Sequence, residues 1–371
     1  MKTTNTYAVV DLDALRSNYR FVKGLNPDKE AIAIVKADSY GHGSVACARA
    51  LYGEGVRYFA VANLDEAEEL LGGIDDISVL ILGYIDLARV DEVAQKDIIT
   101  AVYSLEYARA LDEASRRAGK VSRVHIKVNT GMNRLGFDPT KEDFEEKVRA
   151  VTQMKNLTVH GIFSHYSTAD EEDLSYSERQ REIFEKAVDT VKRAGAPLSL
   201  IHISNSAAAM VFDCPVSNAF RPGLVLYGYS PLPGRKMQGS LRPVMSVYAH
   251  IANIFELKKG ESISYGRRYT ADSERRIATV TIGYADGYSR SLSNRSYVMA
   301  AGSRAPVRGS VCMDMIMCDI TGIDGLKVGD TVEVLGPDVD AQVLADLAGT
   351  IPYEITCDIS KRVKRYYREE K

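Results

Sequence analysis

The chain has 371 residues, 45% of them apolar and 26% charged, a composition that excludes wholesale disorder. Forty-seven lysines and arginines against 50 aspartates and glutamates leave a net charge of −3, so no global field draws in nucleic acid or an anionic membrane. The length suits two domains.

The N-terminus has only 7–10 as an apolar run, too short for a signal peptide. The strongest apolar stretch, 77–82, is strand-sized and far below the roughly 20 residues that cross a bilayer. Short β-branched runs at 31–35, 58–61, 79–82, 98–102, 124–128, 157–162, 200–204 and one ending near Arg221 read as strands, with helical stretches between most of them. Asn63 and Ser104 sit where they cap helices over 65–70 and 107–118, and 175–194 carries apolar residues at three-to-four spacing. Eight strand–helix units point to an α/β protein built on a (β/α)₈ TIM barrel. Pro222 suits the first turn of a helix, which places the eighth strand before it.

Past residue 240 the pattern changes to strand candidates at 244–255, 277–282, 297–300, 313–320 and 331–335, with no helical alternation. The expected division is an N-terminal strand over 1–12 that packs with the second domain, a barrel over 13–240, and a β-rich C-terminal domain over 241–371. The Pro/Gly-rich run at 230–235 supplies the junction. The last dozen residues carry Lys361, Arg362, Lys364, Arg365 and Arg368 followed by acids, and read as a solvated terminal segment. Five scattered cysteines without a C-x-x-C pair disfavour disulfides and zinc, and suit a reduced, cytoplasmic protein. No metal is expected. His160 and His165 are five apart rather than the four of a helical metal pair.

In a barrel of this kind the chemistry lies at the C-terminal ends of the strands. The first strand runs into Lys36, whose ammonium would point into or just above the barrel. A desolvated lysine there can form a Schiff base with a carbonyl; a lysine paired to Asp38 is the plainer alternative. The seventh strand runs into Ser204-Asn205-Ser206 and the eighth into Arg221-Pro222-Gly223-Leu224. Phosphate sites in barrels are often built from these two turns, although Asn205 alone suits an ordinary helix cap. Together with Lys36 they describe an aldehyde-bearing phosphate cofactor, with pyridoxal 5'-phosphate the obvious candidate and Arg221 available to its ring nitrogen. His165 and His202 read as rim and core histidines respectively.

Six segments, in register, resemble the pyridoxal-phosphate-dependent alanine racemases nearly end to end. They are Lys36-Ala-Asp-Ser-Tyr-Gly-His-Gly43, Lys127-Val-Asn-Thr-Gly-Met-Asn-Arg134-Leu-Gly136, Ser264-Tyr265-Gly266, Ile282-Gly-Tyr284-Ala-Asp-Gly287, Val311-Cys-Met313-Asp314 and Ile351-Pro-Tyr353-Glu. The resemblance implies interconversion of L- and D-alanine through a cofactor aldimine, with Lys36 and Tyr265 as bases on opposite faces. It places Tyr40, Ser206, Gly223, Leu224 and Tyr353 around the phosphate, with Asn205 beside them. His165 would stack on the ring, Arg221 would donate to its nitrogen, and Arg134 and the Met313 backbone would hold the substrate carboxylate. It further implies a head-to-tail homodimer in which the partner subunit donates Tyr265, and a role in D-alanine biosynthesis for the cell wall. Asp170, Arg290, Arg308 and Ile351 resemble the family's access corridor.

Ser39, Asn129 and Ser289 depart from the family's usual alanine, aspartate and proline, and bear on substrate preference and on any modification of Lys127. On residues alone, Tyr265 would read as a buried tyrosine with a satisfied hydroxyl. A serine, serine/alanine or broader amino-acid racemase is the alternative within the fold. A cofactor-binding regulatory barrel would lack a second domain, and a related decarboxylase would need a cysteine-bearing acid motif and a Gly-rich phosphate loop.

Overall fold

The structure, a computed structural model, describes residues 4–369. Residues 1–3 of the expected N-terminal segment and 370–371 of the C-terminal domain lie outside the described residues. A first strand, β1 (Thr6–Asp11), precedes eight that pair in parallel in chain order. These are β2 (Glu30–Ile34), β3 (Tyr58–Val61), β4 (Ser78–Ile81), β5 (Ile98–Val102), β6 (Ser122–Lys127), β7 (Leu157–Phe163), β8 (Leu200–His202) and β9 (Ala219–Phe220). β9 pairs back onto β2, Glu30 with Ala219 and Ala31 with Phe220, and so closes the barrel. All five residues of β5 are buried, as expected of a parallel strand covered on both faces.

The helices are delimited by local chemistry that was readable in advance. Asn63 accepts from Glu66 N to start Leu64–Gly73, and Ser104 accepts from Tyr107 N to start Leu105–Ala118, each cap contributing about 1 kcal/mol. The long helix spans Ser175–Arg193 and buries Phe184, Ala187, Val188 and Val191. Among the described residues no helix is long and apolar enough to cross a membrane.

The chain divides into two compact units. One comprises Leu15–Ser39 and Ser44–Arg242 and holds the barrel; the other comprises residues 4–14, Tyr40–Gly43 and 243–369 of the described chain. The second unit is built on β10 (Met245–Leu257), β11 (Ser262–Ile263), β12 (Tyr269–Thr270), β13 (Arg275–Val280), β14 (Tyr297–Ala300), β15 (Ser303–Arg308), β16 (Ile316–Asp319), β17 (Thr331–Leu335) and β18 (Lys364–Arg368). Eight strands form one sheet in the order β13-β16-β15-β14-β17-β10-β1-β18, and β11 pairs only with β12. β15 escapes the sequence pattern because Pro306, opposite Tyr297, and two arginines interrupt it. Two short helices, Ala341–Ala348 and Pro352–Cys357, are likewise unforeseen.

The basic C-terminal run keeps Lys361, Arg362, Lys364 and Arg368 exposed, as expected, but it is a paired strand rather than an unstructured segment. Lys364–Arg368 is β18, paired in parallel with β1 from Tyr7↔Lys364 to Asp11↔Arg368. Arg365 donates to four backbone carbonyls, those of Gly41 at 3.0 Å, Ser360 at 2.5 Å, Val363 at 2.6 Å and Ile359 at 2.5 Å. Arg368 pairs with Asp11 at 2.5 Å. Charge pattern reads the side chains as solvent-facing, which holds for all of them but Arg365; it carries no sign of the backbone pairing or of the carbonyl cluster around that one guanidinium.

Candidate active site

Lys36 follows β2 and the buried Val35, and is itself partly exposed. The next four residues, Ala37 to Tyr40, all have positive φ, between 51° and 55°. A left-handed run of non-glycine residues costs on the order of 1–2 kcal/mol per residue and persists only where its surroundings hold it. Two carboxylates do so within the barrel unit. Glu66 accepts from Ala37 N at 2.9 Å and from Ala62 N at 2.8 Å, and Asp38 accepts from Ser44 N at 2.7 Å. Asp38 is thus engaged with backbone.

At the ends of β8 and β9, Ser206 Oγ accepts from Gly223 N at 2.9 Å and ties the two turns together. Asn205 caps the six-residue helix Ser206–Val211 through Ala208 N at 3.0 Å, so its side chain has the plain capping role. Leu224 begins a buried single turn, Leu224–Tyr227.

Arg221 is 3% exposed, and among the described residues no carboxylate bonds it. Its Nη1 reaches His202 Nδ1 at 2.7 Å and His202 O at 3.2 Å. Its Nη2 reaches Ser164 O at 2.7 Å, His165 Nδ1 at 3.0 Å and Ile203 O at 3.0 Å. Burial, reinforced by Arg134, pushes its pKa down to about 9, which leaves it a cation at neutral pH. The Nε–H has no acceptor among the described residues. That unclaimed donor, in a setting of cations without acids, fits the nitrogen of an aromatic ring.

His165 is held well below the usual histidine range by burial and by Arg221, Arg134, Lys127 and Lys36. Its backbone carbonyl accepts from Gln180 Nε2 at 3.0 Å; Gln180 is fully buried and also bonds Ser167 and Thr130, so it ties the turn after β7 to the one after β6. Lys127 ends β6 with its Nζ 4.3 Å from the Phe163 ring centroid. Arg134 lies exposed in the loop that follows. Sequence reasoning did not find His125 or Gln180, whose isolated positions carry no motif.

On the β-rich unit, Tyr40 is 8% exposed and packs on Tyr353 with ring centroids 5.8 Å apart. Burial first, then the neighbouring Tyr353, raises the Tyr40 phenol far above its ordinary range. Tyr265 is not a buried core tyrosine: it is 72% exposed, on a tight turn between Ser264 (φ 65°) and Gly266 (φ 71°). The turn is pinned by reciprocal hydroxyls, Ser264 Oγ donating to Ser310 O at 2.6 Å and Ser310 Oγ to Tyr265 O at 2.9 Å. Met313, expected to open a strand, lies in a loop before β16 with its side chain exposed and its carbonyl accepting from Ala285 N. A Cβ on Gly283 would stand 2.3 Å from that carbonyl, so only glycine lets the loop approach.

The structure therefore joins Arg221 to His165 and Ser206 to Gly223 in one unit, and Tyr40 to Tyr353 in the other. Lys36, Lys127 and Arg134 share the electrostatic field of the first group.

Comparison with known proteins places these features in a family. Residues 10–231 match the family described as alanine racemase, N-terminal domain, and residues 244–367 match alanine racemase, C-terminal domain. An alanine racemase of Geobacter sulfurreducens is 45% identical over 376 aligned positions, covering 99% of this chain and 98% of the relative. The crystal structure of alanine racemase from the D-cycloserine producer Streptomyces lavendulae superposes with a TM-score of 0.95 at 32% identity, covering 100% of this chain and 98% of that one. That of Bartonella henselae alanine racemase, with covalently bound pyridoxal phosphate, superposes at 0.90 with 28% identity, over 98% of this chain and 100% of that one. With both halves matched over nearly their full length, the chain belongs to the alanine racemase family.

Proposed function

We propose that this protein interconverts L- and D-alanine with pyridoxal 5'-phosphate, in the cytoplasm, supplying D-alanine for the cell wall. The observation that carries the cofactor reading is Arg221, a buried cation that, among the described residues, bonds no acid and leaves one N–H unclaimed. Lys36 would hold the cofactor covalently, while Ser206, Gly223, Leu224, Tyr40 and Tyr353 would surround its phosphate, with Asn205 shaping the turn. When bound, the cofactor supplies a conjugated ring that accepts charge from the substrate's α-carbon and so acidifies its proton.

The remaining work falls to this chain's own groups. Inverting a stereocentre needs a proton taken from one face and returned on the other; one base would favour retention. Lys36 Nζ serves one face, and Tyr265 of the partner subunit serves the other in a head-to-tail homodimer. The exposure of Tyr265 on its pinned turn supports that assignment. Arg134 and the Met313 backbone N–H orient the substrate carboxylate. Arg221 only donates hydrogen bonds, so it would hold the ring nitrogen without giving it a proton. Such a contact would weaken the electron sink and suit simple proton exchange over side reactions. His165 would stack on the ring.

The matched relatives carry the name alanine racemase, which favours alanine over the serine or broad-specificity alternatives. The test is exchange of D- and L-forms across alanine, serine, lysine and arginine, in wild type and Lys36→Ala. Alanine is expected first and serine second, on the order of 10²-fold poorer, because an apolar site discriminates one hydroxyl only weakly. A borohydride-reducible cofactor adduct at another lysine in Lys36→Ala would sink the lysine assignment, and serine matching alanine would move the alternative to first place.

A further inference from the structure

Within the barrel unit a row of hydrogen bonds joins four residues that the chain order scatters. His160 Nδ1 lies 3.0 Å from His125 Nε2, His125 Nδ1 lies 3.0 Å from His202 Nε2, and His202 Nδ1 lies 2.7 Å from Arg221 Nη1. His125 on β6 and His202 on β8 are both 0% exposed and meet over β7, which lies between their strands. Gly161 of β7 makes the room: a Cβ there would stand 2.7 Å from His125 Nε2 and 2.8 Å from its Cδ2. The His125 and His160 rings lie near coplanar, 18° apart, as a bond between ring nitrogens requires, and His202 is held from its face by Phe163, with centroids 5.0 Å apart.

The row has a direction. A guanidinium can only donate, so His202 Nδ1 accepts and its proton must sit on Nε2. That N–H faces His125 Nδ1, which therefore accepts, and the His125 proton sits on Nε2 facing His160 Nδ1. A second proton anywhere in the row would set two N–H groups against each other at one joint. Burial lowers the proton affinity of all three imidazoles, in the same sense.

We propose that His202, His125 and His160 are positioning residues for Arg221: a relay of neutral imidazoles, each with its proton on Nε2, that gives a buried guanidinium an acceptor without a counter-charge. A carboxylate in the place of His202 would bond as well but would cancel the positive field at the other guanidinium nitrogens. Each imidazole that donates from Nε2 becomes a better acceptor at Nδ1, so the row strengthens the bond that orients Arg221. The catalytic consequence rests on the reading that Arg221 faces the cofactor's ring nitrogen; the tautomers do not.

The chain has only six histidines, so ¹⁵N-histidine-labelled holoenzyme can be assigned by single substitutions and its ring nitrogens read by long-range ¹H–¹⁵N correlation. His125 and His202 are expected to show a protonated Nε2 and a bare Nδ1 at pH 7; a protonated Nδ1 at either residue overturns the relay. This arm is read on the protein as purified, whatever its activity proves to be, so it fails separately from the functional reading. The second arm compares His202→Asn, whose Oδ1 replaces the Nδ1 acceptor, with His202→Leu, which has none, each checked for folding by circular dichroism. His202→Asn should keep kcat within about threefold and retain the wild-type cofactor absorption maximum, whereas His202→Leu should lose at least about tenfold in kcat at similar KM and shift that maximum. A loss beyond about tenfold in both folded variants, or in neither, overturns the positioning role. If His202→Leu does not fold, His202→Asn and the tautomers decide.

Discussion

Lys127 is 6% exposed at the end of β6, with three cations and no carboxylate shaping its field. Burial first, then Arg221, Arg134 and Lys36, pushes its pKa from the ordinary 10.5 to about 7. For a base depressed in the fold, the unfolded chain binds more protons between the two values, so stability rises with pH across that window. At about 1.36 kcal/mol per tenfold change in proton affinity, charging Lys127 costs the fold ~5 kcal/mol well below pH 7. The cost falls to ~2 kcal/mol at pH 9 and vanishes above pH ~10.5, where neither state holds the proton. Lys127→Met keeps the length of the side chain and removes the charge. It should stabilise the protein at pH 7 by roughly 2–4 kcal/mol, after allowing for the lost contact with the Phe163 ring. Urea unfolding of both proteins at pH 7 and pH 9, followed by circular dichroism, gives a difference of differences in which other titrating groups cancel. The gap should shrink by about 2 kcal/mol between the two pH values. A gap that does not change with pH, or a variant less stable than wild type at pH 7, would refute the buried-cation reasoning.

Two further outcomes follow from the β-rich unit. Arg365→Ala removes the donor shared by four backbone carbonyls and should lower stability by about 1–3 kcal/mol, seen as a fall in Tm; Arg365→Lys, a point charge without the planar fork, should not recover it fully. Mixing inactive Lys36→Ala and Tyr265→Ala proteins under subunit exchange should restore up to about a quarter of wild-type activity, since random assortment leaves each hybrid dimer one intact shared site. No recovery despite verified exchange would remove the shared-site reading.

How much of this was legible in advance differs by element. The eight barrel strands lie within one or two residues of the apolar runs that announced them, and Asn63 and Ser104 cap the helices they were expected to cap. These features depend on hydrophobic period and on a side chain reaching its own backbone three residues on, both local properties. The strand-end positions of Lys36, Ser206 and Arg221 followed from the same periodicity, because a barrel presents its strand ends on one face.

Other features depended on partners far away in the chain. Nothing local distinguishes Lys364–Arg368 from a solvated basic tail; it becomes a strand because β1, more than 350 residues earlier, offers an unpaired edge, as the register Tyr7↔Lys364 shows. His125, His160 and His202 each look like an ordinary strand residue until closure of the barrel brings three strands into register and Gly161 vacates the space for a ring. The exposure of Tyr265 and the depressed proton affinity of Lys127 are decided in the same way. Composition and periodicity by themselves determined which segments fold and into what elements. The tertiary structure alone decided which charges lose their water and which donors meet which acceptors, because desolvation and hydrogen bonding are set by neighbours in space.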